Sequence, residues 1–459
     1  MKEHLISAHE IRLPNEFSID NACLTYRNIN LLELVKKHGT PLKFTFLPSI
    51  THKIKIMKDY FKLAFDVNNY KGKYQYYYCT KSSHFNHVLR TVLSADVGIE
   101  ISSACDTDLI SSLVKTGDLP PDTQIICNGY KTEEYLTGIF KLIRDKQCTI
   151  LPIVDSKSEL ERYIEYSKTL TNMSVGIRLN MSYISSYARE SRFGLLPEDI
   201  LYHYNTGIVG NDNLKLTTLH FFNDKGIENT DSYWTTLAEV VRFYCYLKRI
   251  NPDLTTLDIG GGMPFKDNLD HNLHISELIF RMVAIIKDIC TLEEVDEPDI
   301  ITEFGKYTVA ESTGTLFKIL ERKKGNEQDW AIIDGSFITH LPDTWAIKQN
   351  YPVLPINNLE NDLIPYTLGG ITCDSADFFP NNADTKAIML PDTHDEQFVA
   401  FFHTGAYQEA LSGFGGINHC LIPAAKHIII DENALKEIVV STFSERQSSK
   451  NMLEILGYQ

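Results

Sequence analysis

Between about residues 40 and 310 the chain repeats one pattern: a short apolar, β-branched or aromatic run, then a longer stretch with apolar positions at helical spacing. YQYYYCTK leads into SSHFNHVLRTVLSA, VGIEISS into CDTDLISSLVKTG, and IICNGY into EEYLTGIFKLIRD. TILPIV precedes SELERYIEYSKTL, SVGIRLN precedes a long loop, LKLTTLHFF precedes SYWTTLAEVVRFYCYLKRI, and LTTLDIGGG precedes HISELIFRMVAIIKDIC. DIITEFG closes the series. Eight strands at intervals of 20 to 45 residues, alternating with helices, predict a parallel (β/α)8 TIM barrel rather than an open sheet. The serines that follow YQYYYCTK are expected to cap the first helix of the series.

After about residue 310 the pattern changes. TGTLFKILERKKG, DWAIIDGSFIT, YPVLPIN, KAIMLPD, QFVAFFHTGAY and HIIID read as strands separated by Pro, Asn, Asp and Gly turns. That is a mostly β domain. The N-terminal segment CLTYRNINLLELVKKHGTPLKFTF begins with a strand expected to join it. The predicted organisation is therefore a barrel over residues 41–310 and a discontinuous β-rich domain over 1–40 and 311–459.

Composition narrows the function. A chain of 459 residues with 43% hydrophobic and 23% charged residues can bury a sizeable core. The formal charge of −16 argues against a phosphate-backbone binder, because a nucleic-acid surface needs a basic stripe and none is visible. No segment approaches the roughly 20 apolar residues that span a bilayer, so no membrane association is expected. MKEHLISAHEIRLPNEF lacks the apolar core of a signal peptide, which makes the cytoplasm the expected location. Nine cysteines without CxxC pairs predict neither a disulfide framework nor a zinc site, and no metal is expected.

In a (β/α)8 barrel, reactive groups belong at the C-terminal ends of the strands. Four such positions stand out: Lys81 after YQYYYCT, His220 in TLHFFND, the run Gly260, Gly261 and Gly262 in LDIGGGMP, and Glu303 in ITEFGK. Singly they are ordinary. A lone lysine is usually a solvated surface group, a lone histidine a satisfied core residue, a glutamate an ion-pair partner and a glycine run a tight turn. Together they fit one cofactor. Pyridoxal phosphate needs a lysine for its aldehyde, a bare backbone cradle for its phosphate, a carboxylate on its ring nitrogen and a flat group against its face.

Further motifs carry a resemblance. TK at Lys81, GIEISSACDTDL, ICNGYK, SRFGL, LHFF, GGG, EFGK, TCDSAD and GAYQE occur in an order that resembles the fold-type III pyridoxal-phosphate decarboxylases. That family has an alanine-racemase-like barrel and includes eukaryotic ornithine, diaminopimelate and biosynthetic arginine decarboxylases. LPDTWAIKQNYPVLPINNL, TCDSAD and GAYQEA are most similar to the arginine branch. The resemblance implies that Lys81 carries the cofactor and that His220 lies against it. It gives Asn223, Gly260 to Gly262, Gly305, Lys306 and Tyr407 to the phosphate, and Glu303 to the ring nitrogen. It also implies a homodimer in which Cys373, as proton donor, and Asp374 enter the partner's active site. Asp343 becomes a candidate for the cationic end of the substrate, with a turn residue after Pro342 as the alternative.

Two departures stand out. The family's Glu-Pro-Gly-Arg reads Glu303-Phe304-Gly305-Lys306, and its Gly-Ser pair after the histidine reads Phe222-Asn223. A lysine meets phosphate as a point charge without the bidentate fork of arginine. The activity implied is decarboxylation of a basic amino acid, arginine to agmatine first. Lysine, ornithine, diaminopimelate or a carboxylated polyamine are the alternative substrates. A racemase would need a tyrosine acid that is not evident, and a non-catalytic regulator would not need Lys81, Glu303 and Cys373.

Overall fold

The computed structural model describes residues 6–7, 13–120, 122–146, 148–184, 190–267, 274–380, 387–408 and 419–458. Two compact units divide the chain: residues 50–264 with 273–308, and residues 1–49 with 265–272 and 309–459.

The first unit is a closed barrel of eight parallel strands. In chain order they are β1 (Tyr74–Cys79), β2 (Gly98–Ile101), β3 (Gln124–Cys127), β4 (Thr149–Val154), β5 (Met173–Arg178), β6 (Leu214–His220), β7 (Thr256–Asp258) and β8 (Asp299–Glu303). β8 pairs with β1 to close the ring, with Glu303 opposite Tyr77. Closure leaves no unpaired edge in the barrel. Inside it, Tyr77, Ile126, Ile153 and Ile301 form one buried cluster. Burying each such side chain stabilises the fold by roughly 1.5–3 kcal/mol.

The helices start where their capping residues stand. Ser103, Thr132, Ser156 and Thr230 each accept a hydrogen bond from a backbone N–H of the first turn, opening Ala104–Thr116, Glu133–Asp145, Lys157–Tyr166 and Asp231–Ile250. The helix after β1 differs from expectation. Thr80–Ser82 form a 3₁₀ turn, and the helix begins only at Asn86, without a side-chain cap. Ser82 and Ser83 are buried, and the Tyr78 hydroxyl donates to the Ser83 carbonyl. These serines shape the barrel mouth instead of capping a helix.

The second unit is built on an eleven-stranded sheet with a separate three-stranded sheet, Phe17–Asp20, Cys23–Tyr26 and Ile29–Asn30. Leu42–Phe46 runs antiparallel to Thr313–Lys323 and parallel to Lys426–Glu432 in the large sheet. The expected boundary at residue 41 is thereby corrected: LKFTF belongs to the β-rich unit, because its backbone groups find their partners there. CLTY joins the β-rich unit as expected, through the small sheet, and Leu24 and Tyr26 share a core with Phe44, Phe46 and Phe402. Within DWAIIDGSFIT only Trp330–Ile333 is a strand, and Phe337–His340 is helical. Ser336 caps that turn, and the Asp377 carboxylate accepts from the amides of Phe337 and Ile338.

Candidate active site

β1 delivers Lys81. The strand stops at Cys79 and the 3₁₀ turn that follows carries the lysine to the C-terminal mouth of the barrel. Its Nζ donates to Oε2 of Glu100, on β2, at 2.5 Å. The Glu100 side chain is fully buried while that of Lys81 remains partly exposed. A buried carboxylate requires a paired charge, and Lys81 supplies it. Burial pulls the lysine's pKa down, but Cys79, Glu100 and Glu303 outweigh it and leave the pKa well above the usual lysine value.

β8 delivers Glu303, which is buried. Its Oε1 accepts from Nδ2 of Asn128, just beyond β3, at 2.7 Å. Oε2 lies 3.6 Å from Nε2 of His220, the last residue of β6. Burial opposes ionisation, yet His220, Lys81 and Asn128 hold the Glu303 carboxyl at about 2. Asp258, the last residue of β7, has the opposite fate: burial and then Glu303 push its pKa well above the usual carboxylate range. Donor atoms of His220, Asp258 and Glu303 all lie within 4.8 Å of one another. That spacing is short enough for a divalent cation. However, an amide N–H already points at Glu303 and a lysine ammonium lies nearby, so we assign the group to an organic ligand.

The glycine run has a steric cause. Gly260 and Gly262 have φ of +66° and +92°, a region costly for side-chain-bearing residues. A Cβ on Gly261 would stand 2.7 Å from the Glu303 carbonyl, and one on Gly262 2.5 Å from Cα of Gly226. Gly260 N–H donates to Asp258 Oδ1 at 2.9 Å. Among the described residues the amides of Gly261 and Gly262 have no acceptor, as an anion cradle requires. Asn223 folds the adjoining turn: its Oδ1 accepts from Lys225 N and its carbonyl from Gly226 N, leaving Nδ2 as the donor it can offer. Phe222 lies along the glycine run, since a Cβ on Gly260 would come 3.1 Å from its ring. It lines a cleft of about 160 Å³ with Arg178, Phe193, Asn223 and Lys225.

Gly305 is equally constrained, because a Cβ there would overlap Ser82 Oγ at 2.0 Å. Lys306 opens the four-residue helix Lys306–Val309. The structure thus gathers Lys81, His220, Glu303, Asn223 and the glycines in one unit.

The remaining expected residues lie in the β-rich unit. The TCDSAD loop is folded by Asp377, whose Oδ2 accepts from Thr372 N and from Thr372 Oγ1 at 2.7 Å. It presents an exposed Cys373, with Sγ 3.4 Å from that of Cys420. The neighbouring thiol raises the Cys373 pKa. Asp374 Oδ2 lies 3.2 Å from Nε2 of His419. Tyr407 has φ of +69°. Asp343 is buried, and its Oδ2 accepts from Gln408 Nε2 at 2.9 Å while its own N–H donates back to Gln408 Oε1. LPDTW and GAYQE are therefore joined by a closed pair of hydrogen bonds. Asp343 lies in the short helix Pro342–Ala346, and there its Oδ2 holds Gln408.

Glu100, Asn128, Arg178 and Asp258 were not expected as site residues. Their signal in the sequence is a polar residue at the end of an apolar strand, as in GIEI, IICN, SVGIR and TTLD.

The pyridoxal-binding domain model of the pyridoxal-dependent decarboxylases matches residues 49–310. Biosynthetic arginine decarboxylase of Prochlorococcus marinus (strain MIT 9515) is 23% identical, over 94% of this chain and 85% of the relative. That alignment spans 563 positions against 459 residues here, so the relative carries inserted segments. The crystal structure of the Campylobacter jejuni biosynthetic arginine decarboxylase superposes with a TM-score of 0.83 at 21% identity, covering 97% of this chain and 89% of that one. Diaminopimelate decarboxylase from M. jannaschii, solved with L-lysine, gives 0.79 at 19% identity, covering 96% and 97%. At these identities the structural likeness carries the fold.

Proposed function

The chain belongs to the pyridoxal-dependent decarboxylases, and from that premise we propose that it removes the α-carboxylate of a basic L-amino acid, arginine first, giving agmatine and carbon dioxide. The observation that carries the reading is the assembly of Lys81, Glu303 and His220 with the bare glycine run at one end of one barrel. The site also fits the cofactor by what it leaves open. Among the described residues, both ring nitrogens of His220, Oε1 of Glu100 and Oγ of Ser82 are buried without a hydrogen-bond partner.

Pyridoxal phosphate, when bound, supplies a ring that accepts the electron pair left by the departing carboxylate. Lys81 would hold its aldehyde end. Glu303, an anion held by Asn128 and His220, would keep a proton on the ring nitrogen. His220 would offer its flat imidazole to the ring. The free amides of Gly261 and Gly262, with Asn223 and Lys306, would meet the phosphate charge, with a lysine where the family has an arginine. Cys373 returns a proton to Cα, which requires its thiol to be tuned by its surroundings. In this reading Cys373 and Asp374 serve the site of a second copy of the chain, and the working form is a homodimer; the resemblance of TCDSAD to the family's loop supports it. Asp374, as a carboxylate, suits the five donors of a guanidinium.

Carbon dioxide release from a panel of arginine, lysine, ornithine and diaminopimelate, with the cofactor's visible absorbance recorded on the same sample, tests the reading. Faster turnover of another amino acid sinks the arginine assignment and leaves the decarboxylase. Mixing Lys81→Ala chains with Cys373→Ala chains tests sharing between copies. Mixed dimers should regain part of the activity, and no gain after verified exchange counts against it.

A further inference from the structure

We propose that Asp258 is a neutral carboxylic acid that donates its proton to Glu303, acting as the positioning residue that keeps Glu303 the anion of the site. The geometry sets up the choice. Asp258 is fully buried. Its Oδ1 accepts one hydrogen bond, from Gly260 N at 2.9 Å, and its Oδ2 has no hydrogen-bond partner among the described residues. The charged and titratable groups facing it come from the strands around it: Tyr77 on β1, Glu100 on β2, His220 on β6 and Glu303 on β8. The cation in this group, Lys81, is engaged by Glu100 at 2.5 Å.

Three buried carboxyls thus compete for few donors. Glu100 has the ammonium, and Glu303 has the Asn128 amide at 2.7 Å and His220 at 3.6 Å. Asp258 has one neutral N–H. Two carboxyls in contact cannot both ionise in a dry site, and the proton settles on the one with less support. On Asp258 Oδ2 that proton turns an orphaned acceptor into a donor, in a group where carboxylate oxygens of Asp258 and Glu303 lie within 4.8 Å of each other. One proton then satisfies both groups. The direction in which each carboxyl is shifted agrees, Asp258 upward by burial and by Glu303, and Glu303 down to about 2.

The use of the Glu303 charge rests on the decarboxylase reading; the position of the proton does not. The test is therefore spectroscopic first. In the infrared spectrum of the purified holoprotein at neutral pH, a protonated-carboxyl stretch should be present, vanish in Asp258→Asn and shift in Glu303→Gln. A merely structural Asp258 would not respond to Glu303→Gln. Cofactor affinity is read separately, by absorbance titration of apoprotein with pyridoxal phosphate. Asp258→Asn keeps both a donor and the acceptor for Gly260 and should bind within about threefold of wild type, whereas Asp258→Ala should bind more than tenfold worse. A stretch that survives in Asp258→Asn, one that ignores Glu303→Gln, or an Asp258→Asn as weak as Asp258→Ala overturns the proposal. If the protein binds no pyridoxal phosphate while the stretch behaves as expected, the decarboxylase reading fails and the proton assignment stands.

Discussion

The ends of the barrel strands and the TCDSAD loop both carry chemistry, and they hold it in opposite ways. At the strand ends the carboxyls are buried and each is defined by another group: Glu100 by Lys81, Glu303 by Asn128 and His220, Asp258 by Glu303. In the loop, Cys373 is exposed and touched by a second exposed thiol, and Asp374 meets a partly exposed His419. Parallel strands explain the first case. Neighbouring strands are hydrogen-bonded side by side, and polar side chains at their C-terminal ends, such as His220, Asp258 and Glu303, are buried together. The loop depends on a few local bonds, chiefly those of Asp377 to Thr372 and to the amides of Phe337 and Ile338. Substitutions at the strand ends should therefore spread through the site, and substitutions in the loop should stay local.

The sharpest break of that contrast is Lys81→Ala. Turnover should fall by roughly 10³-fold or more, the scale of losing a covalent catalytic group. Borohydride reduction followed by peptide mapping should label Lys81 in wild type and nothing in the variant. A label on another lysine overturns the assignment.

Next is Gly262→Ala, which puts a Cβ 2.5 Å from Gly226 Cα at a φ of +92°. Overlap and strain together should cost about 1–3 kcal/mol in urea denaturation, with weaker cofactor retention. Unchanged stability would mean that the two turns part easily.

In the β-rich unit, Asp343→Ala removes the buried acceptor of Gln408 and should cost about 1–3 kcal/mol of stability. If KM for arginine rises sharply while the denaturation midpoint stays put, Asp343 belongs to the substrate after all.

The acid pair gives a pH test. Asp258 has a raised pKa when folded, so above about pH 4 the folded chain keeps a proton that the unfolded chain has released. Its contribution is thus present at low pH and lost as pH rises through the folded pKa. Wild-type stability relative to Asp258→Asn should fall by up to about 1.4 kcal/mol per pH unit over that window. Parallel stability curves from about pH 4 to 7 would show Asp258 ionised when folded.

The smallest effect is expected in the loop. Cys420→Ser removes the thiol that raises the Cys373 pKa, so Cys373 should be alkylated a few-fold faster near neutral pH, with stability changed by less than about 0.5 kcal/mol. Slower alkylation would mean that Cys420 activates its neighbour.

All eight barrel strands were legible, because each buried parallel strand is an apolar run and each is separated from the next by a helical period or a loop. Lys81, His220, Glu303 and the glycine run were legible for the same reason, as the residues at which those runs stop. Glu100, Asn128 and Asp258 were passed over although they too lie at or near strand ends, since a lone polar residue there does not reveal its partner. The strand Asp362–Gly369, with a proline and a tyrosine inside it, and the exposed Ile438–Ser444 lack a clean alternation and were missed. The boundary at residue 41 failed because LKFTF reads as a strand without saying which sheet completes it. The barrel, its strand ends and the kinds of chemistry they carry were readable from period and residue type, which are local properties. Which carboxyl keeps a proton, which aspartate is a buried acceptor and which thiol faces another were settled by packing. Those outcomes depend on distances between residues far apart in the chain, and on how much water remains between them.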